Sequence, residues 1–145
     1  MELALVEARK AEAAGEVPVG AIIIDKNGEV IGRGFNHPIA GNDPTAHAEM
    51  IAIRDASRTI RDYRLTGATL FCTIEPCAMC AGAMVHARIE RLVFGAADSK
   101  AGAAGSLYNI LTDPRLNHRV DVIRGVRAEE CAELLQRFFK SRRQA

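Results

Sequence analysis

Hydrophobic residues recur along this chain at two spacings, and the alternation between those spacings sketches a fold before any chemistry is considered. Leu3, Ala4, Leu5 and Val6, followed by Ala8, Ala11, Ala13 and Ala14, suit a first helix that ends near Gly15. Val17–Asp25 is a β-branched run and Glu29–Asn36 a second, joined across Lys26-Asn27-Gly28. Asn-Gly between such runs predicts a hairpin with a type I′ turn, which needs positive φ at both central residues. A polar loop follows from His37 to Thr45, then a helix from about Ala46 to Thr59. The strand expected over Ala68–Ile74 runs through Glu75-Pro76 into a helix from about Cys77 to Ala87. Arg91–Gly95 reads as a short strand, Ala96–Ser106 as a Gly/Ala-rich loop and Leu107–Leu111 as a short helix. After a turn at Asp113-Pro114, Val120–Ile123 suits a fifth strand. Ala128–Arg143 closes the chain as an amphipathic helix with Leu134, Leu135, Phe138 and Phe139 on one side. A hairpin followed by alternating strands and helices predicts an α/β fold, a mixed sheet covered by helices on its faces.

Composition narrows the class. With 145 residues, 48% of them hydrophobic and 26% charged, the chain has the profile of a soluble globular protein. No repeat or linker interrupts it, so one domain is expected over residues 1–145. No stretch of about 18 apolar residues is free of charge, which argues against a membrane span. The start is acidic at Glu2 and Glu7, unlike the basic beginning of a secretory signal, and a cytoplasmic location is expected. The four cysteines should then stay reduced. Cys77 and Cys80 form a close pair that suggests metal or redox work, while Cys72 and Cys131 stand alone and read as small buried hydrophobes. Net charge is +1 but uneven: residues 114–145 carry 8 Lys and Arg against 4 Asp and Glu. Such an end suits either contact with a polyanion or a solvated terminal helix.

Two segments carry the chemistry, Thr45-Ala46-His47-Ala48-Glu49 and Glu75-Pro76-Cys77-Ala78-Met79-Cys80. Each lies where a loop enters a helix. Cysteines at i and i+3 share a helical turn, so both sulfurs can face one point. Pro76 suits a helix start, and the start of a helix favours thiolates. His47 can approach the same point if the two helices lie side by side. One His and two Cys make three protein ligands, and no remaining candidate (Cys72, Cys131, His86 or His118) has the spacing of a second ligand pair. Structural zinc normally takes four protein ligands, whereas catalytic zinc leaves the fourth place to water. Glu49, two residues past His47, falls at a different azimuth and can sit beside that water to take and return its proton. Either half alone is weak, since a Cys-x-x-Cys pair is as often redox or structural; together they read as a water-activating zinc centre.

These residues resemble the zinc-dependent nucleobase deaminases of the cytidine/deoxycytidylate deaminase superfamily, and within it the tRNA adenosine deaminase branch. The likeness covers nearly the whole chain. Its carrying segments are Gly15-Glu16-Val17-Pro18-Val19-Gly20-Ala21, Asp43–Glu49, Glu75–Ala83, Gly102-Ala103-Ala104-Gly105-Ser106 and Asn117-His118-Arg119-Val120. The last two separate that branch from free cytidine or guanine deaminases. The resemblance implies a three-layer α/β/α cytidine-deaminase-like fold around a central mixed five-stranded sheet. It also implies one Zn2+ per chain on His47, Cys77 and Cys80, with Glu49 as the catalytic proton shuttle. The expected reaction is hydrolysis of adenosine to inosine at the wobble position of a tRNA anticodon, with an arginine tRNA as the expected substrate. Asn36, Ala48, Asp98 and Asn117 are the substrate contacts it implies. Its partners are the tRNA anticodon stem-loop and a second copy of the chain, with Ala81, Gly82, Ala83 and Met84 small enough for close helix approach. The first helix is a turn or two shorter than family members usually have.

Plainer readings exist for several of these residues. Asn36 suits a turn after a strand, Asp98 a cap on the turn that follows it, and Glu75 a hydrogen bond bracing the strand-to-helix turn. Lys140-Ser141-Arg142-Arg143 is either a frayed helix end or a set of phosphate contacts. Two other functions compete with tRNA deamination. One is deamination of free nucleosides or bases, against which the basic end and the Gly102–Ser106 loop speak. The other is a non-catalytic zinc-stabilised RNA-binding module, in which Glu49 would have no use.

Overall fold

Residues 1–144 are described in the computed structural model. In chain order the elements are α1 (Glu2–Ala13), β1 (Gly20–Ile24), β2 (Val30–Phe35), α2 (Pro38–Gly41), α3 (Ala48–Ile60), β3 (Thr69–Ile74), α4 (Ala78–His86), β4 (Arg91–Ala96), β5 (Asp121–Ile123) and α5 (Ala128–Gln144). The strands form one sheet in the order β2-β1-β3-β4-β5. β1 pairs antiparallel with both β2 and β3, whereas β3, β4 and β5 run parallel. The sheet is mixed and five-stranded with helices on both sides, as the resemblance implied.

Two groups of apolar side chains fix which helix covers which face. Ala48, Ala52 and Ala56 of α3 and Cys80, Ala81 and Met84 of α4 pack with Ile23, Leu70, Leu92 and Phe94 into the larger cluster. Leu5 and Ala8 of α1 meet Cys131 and Leu134 of α5 over Ile74 and Ala96 in the smaller one. Helices approach β1 and β2 so closely that the strands must be bare there. A Cβ on Gly34 would fall 2.3 Å from the Ala48 carbonyl oxygen, and one on Gly20 would fall 2.0 Å from that of Ala4. The start of α3, and His47 with it, is therefore seated directly on β2.

Three expectations are corrected locally. The hairpin does not use a type I′ turn, because Gly28 has positive φ and Asn27 does not. Asp25 Oδ1 accepts the amides of Asn27 and Glu29, while Gly28 N–H donates to the Asp25 carbonyl. That side chain stabilises a type I turn, and Gly28 then supplies the bulge that restores strand pairing. Leu107–Leu111 is not a helix: Leu107 and Tyr108 both donate to the Gly102 carbonyl, Gly105 sits at φ 125°, and Ala104 pairs with Asn109. The loop folds back on itself instead. Within the expected polar loop the chain forms α2, whose first amides at Ile39 and Ala40 are accepted by the buried Glu16 carboxylate.

Candidate active site

α3 and α4 begin side by side past the C-terminal end of β3, and each starts on a residue in extended conformation. His47 has φ −75°, ψ 151° and Cys77 has φ −75°, ψ 176°. Neither side chain caps its own helix, so both are left for other work. The capping role for α3 comes from a distance instead, as Asn36 Oδ1, at the end of β2, accepts the Ala48 N–H at 2.9 Å. Cys80, one turn into α4, is fully buried.

The three donors form a tight triangle. His47 Nδ1 lies 3.5 Å from Cys77 Sγ and 3.5 Å from Cys80 Sγ, and the two sulfurs are 3.8 Å apart. Around one tetrahedral zinc, with Zn–S of about 2.3 Å and Zn–N of about 2.0–2.1 Å, such donors would stand about 3.8 Å (S to S) and about 3.5 Å (N to S) from each other. The chemistry and the spacing of the set therefore fit zinc. Among the described residues, no other group of His, Cys, Asp and Glu comes together in this way. Cys72 is buried with its thiol donated to the Ile74 carbonyl, and Cys131 packs against Gly95. With three ligands from the protein, the arrangement is the open type that catalytic zinc uses.

Electrostatics set the corner apart. Hydrogen bonds with Cys80 and His47 draw the Cys77 thiol down to about 3, while Cys80, next to that sulfur and buried, is pushed up. The hydrogen bond to Cys77 raises the His47 imidazole. Glu49 is 4% exposed, and burial lifts its carboxyl from the usual range to about 7. Glu75 is 3% exposed and behaves in the opposite way. Burial pulls it up, but hydrogen bonds from Ser106, Asp98 and Ala104 outweigh that and hold it below its usual range.

A cavity of about 160 Å³ opens beside the triangle, lined by Asn36, His47, Glu49, Cys77 and Asp98, with Val19, Ile74, Glu75 and Ala101 completing the wall. It is smaller than the ~300–1,000 Å³ of a typical drug-sized site, so it suits one flat ring rather than a whole nucleotide. Of the expected substrate contacts, Asn36 and Asp98 reach it. Asp98 also does what the plainer reading asked, since its Oδ1 accepts the amides of Lys100 and Ala101. Ala48 is fully buried and its amide is committed to Asn36. Asn117 is not brought to the cavity: it accepts a bond from Arg88 at 3.3 Å, near the N-terminal ends of the parallel strands, whereas the triangle lies past their C-terminal ends. Val19, Ile74 and Ala101 were not singled out in the sequence. Ile74 could have been, as it immediately precedes Glu75-Pro76-Cys77.

Residues 1–96 match the family model described as the cytidine and deoxycytidylate deaminase zinc-binding region. The chain is 52% identical over 144 residues to the tRNA-specific adenosine deaminase of Haemophilus influenzae, covering 99% of this chain and 83% of that one. It is 48% identical to the enzyme of the same name from Bacillus subtilis, over 99% and 88% of the two chains. Among solved structures, one from a study of A-to-I editing by tRNA:A34 deaminases superposes with a TM-score of 0.89 at 47% identity, covering 93% of this chain and 97% of that one. A guanine deaminase from Nitrosomonas europaea superposes with a TM-score of 0.83 at 23% identity, over 94% and 81% of the two chains, and shares the fold.

Proposed function

Because the chain belongs to the cytidine and deoxycytidylate deaminase zinc-binding family, we propose that it hydrolyses adenosine to inosine at the wobble position of a tRNA anticodon. The observation that carries this reading is the triangle of His47, Cys77 and Cys80 with Glu49 on the wall of the same small cavity. His47 Nδ1 and the two sulfurs would hold one zinc ion per chain. Bound there, zinc supplies Lewis acidity, which brings the pKa of water down to roughly 7.

The remaining steps fall to the protein. Glu49 accepts the proton of the attacking water as its oxygen bonds to C6 of adenine. The same carboxyl gives that proton to N1, then takes the second proton from the new C6 hydroxyl and delivers it to the exocyclic amine as the C6–N bond breaks. Ammonia leaves, and the ring collapses to inosine. Asn36, whose Oδ1 is engaged by Ala48, has its amide N–H groups left to donate to the ring. Asp98 has one oxygen committed to its own turn and offers the other to the ribose. Ile74 and Val19 supply apolar walls for the flipped base.

An anticodon loop is larger than this cavity, so a partner copy is part of the reading. Leu107 and Tyr108 are more than half exposed beside the α4 side of the fold and suit a two-fold contact. We take the chain to act as a single deaminase domain of the cytoplasm, where its substrate would be found. No helix among the described residues is long and apolar enough to cross a membrane.

The deciding experiment compares inosine and ammonia release from an anticodon stem-loop bearing a wobble adenosine with release from free adenosine, cytidine and guanine. Turnover of the stem-loop alone supports the reading. Preference for a free base or nucleoside would transfer the chain to the other deaminase class, and no turnover of any substrate by zinc-loaded protein would leave a binding module.

A further inference from the structure

We infer that Glu75 is a positioning residue for this deamination: its carboxylate moors the loop of residues 98–106 and so holds Asp98 against the cavity. The inference rests on the function proposed above only for its kinetic consequence; the mooring itself is independent of the substrate.

A carboxylate has two oxygens and about four acceptor sites. Glu75 has all of them filled, and all by one loop. Oε1 accepts the Asp98 N–H at 3.0 Å and the Ser106 hydroxyl; Oε2 accepts the Ala104 and Ser106 N–H groups, each at 3.0 Å. These partners lie 23 to 31 residues away along the chain, so Glu75 is no mere brace of its own turn. A second tie runs beside it, from the Ala103 N–H to the Pro76 carbonyl at 2.8 Å. The loop is shaped for the purpose. A Cβ on Gly102 would fall 2.4 Å from Glu75 Oε2, so only glycine lets the backbone come close enough to aim the alternate amides of Ala104 and Ser106 inward. Gly102-Ala103-Ala104-Gly105-Ser106 is thereby explained as a cradle for one carboxylate. With no acceptor site and no proton to spare, Glu75 touches the reaction through Asp98 and Ala101, which its loop presents to the cavity.

Glu75→Gln in the zinc-loaded full chain is the informative substitution, because it keeps the shape while turning an NH2 group toward backbone N–H donors. Amide hydrogen exchange at Asp98, Ala104 and Ser106 should accelerate roughly 10- to 100-fold, the effect of losing charge-assisted bonds. Exchange at Ile51 and Ala81, in the first turns of α3 and α4, should stay as in the parent. Zinc content should be unchanged, and KM for the stem-loop should rise more than kcat falls. Unchanged loop exchange, or equal acceleration at both helix starts, would overturn the mooring. A fall in kcat at constant KM would overturn the positioning role in favour of direct chemistry. If the Gln variant does not fold, Ser106→Ala removes one of the four bonds; loop exchange and KM at parental values would then overturn the inference. A parent that ignores the stem-loop defeats the proposed substrate, while loop exchange in Glu75→Gln still decides the mooring.

Discussion

Two buried carboxylates line the same cavity, and they are in opposite condition. Glu49, at the start of α3, has its own amide and the Cys80 thiol as hydrogen-bonding neighbours, and burial lifts its carboxyl to about 7. Glu75, at the end of β3, is bonded on every acceptor site and held in its charged form. Water reaches neither, at 4% and 3% exposure, but Glu49 lies deep in the protein whereas Glu75 is covered only by its loop. Depth and the number of donors aimed at each together separate them. A carboxylate left with capacity can pass a proton on; a saturated one can only hold its donors in place.

The comparison can be broken most completely by removing what both carboxylates surround. Cys77→Ala should lose stoichiometric zinc and, with it, turnover down to background; a variant that keeps full zinc and full activity would remove Cys77 from the ligand set. Striking one side alone, Glu49→Ala should keep zinc and fold while kcat drops roughly 10²–10⁴-fold, the range for a positioned proton-transfer group. Metal analysis beside kinetics reads this directly, because zinc lost from that variant would make Glu49 a ligand. The other side can be struck without substituting its carboxylate. Gly102→Ala forces a methyl onto Glu75 and should cost about 1–3 kcal/mol of stability, read in a thermal melt, with a rise in KM and a smaller change in kcat. The smallest effect belongs outside both regions. Lys140→Ala with Arg143→Ala should flatten the salt dependence of stem-loop binding by roughly 0.7 per lost phosphate contact and leave kcat alone. An unchanged slope would make this end only a solvated helix.

Arg142 is left out of that last pair for a structural reason. Its guanidinium lies 4.9 Å from the centre of the Phe138 ring and donates to the Gly15 carbonyl, which fastens the end of α5 to the turn after α1. In the sequence it was one cation in a run and could not be told from its neighbours. Legibility throughout followed distance along the chain. Cys77 and Cys80 share one helical turn and His47 precedes Glu49 by two, so their spacing alone exposed the chemistry. The strand-and-helix order was equally plain, because periodicity is a local signal. Where a residue's partner lies far away, the sequence was mute. The four bonds to Glu75 come from beyond β4, so it read as a local brace, and Leu107–Leu111 read as a helix because the distant hold of Glu75 on Ala104 and Ser106, which folds the loop before it, was out of sight. Asn36 showed neither its hold on Ala48 nor its place on the cavity until β2 was laid beneath α3. Even the hairpin turned on one side chain, that of Asp25, which outweighed the preference of Asn-Gly.

The separation of 30 positions between His47 and Cys77 gives the triangle one more consequence. An ion held by both ends of that stretch is a cross-link, pinning the first half of the chain to the second through α3, the connection after it and β3. For an unfolded polymer, closing a loop of that length is worth roughly 3–4 kcal/mol at room temperature in the chain-entropy picture of cross-links. That is a large share of the about 5–15 kcal/mol by which folded proteins outlast their unfolded chains. The same three atoms would thus act as both reagent and rivet, and a cell short of the metal would face a chain that is easier to unravel as well as idle.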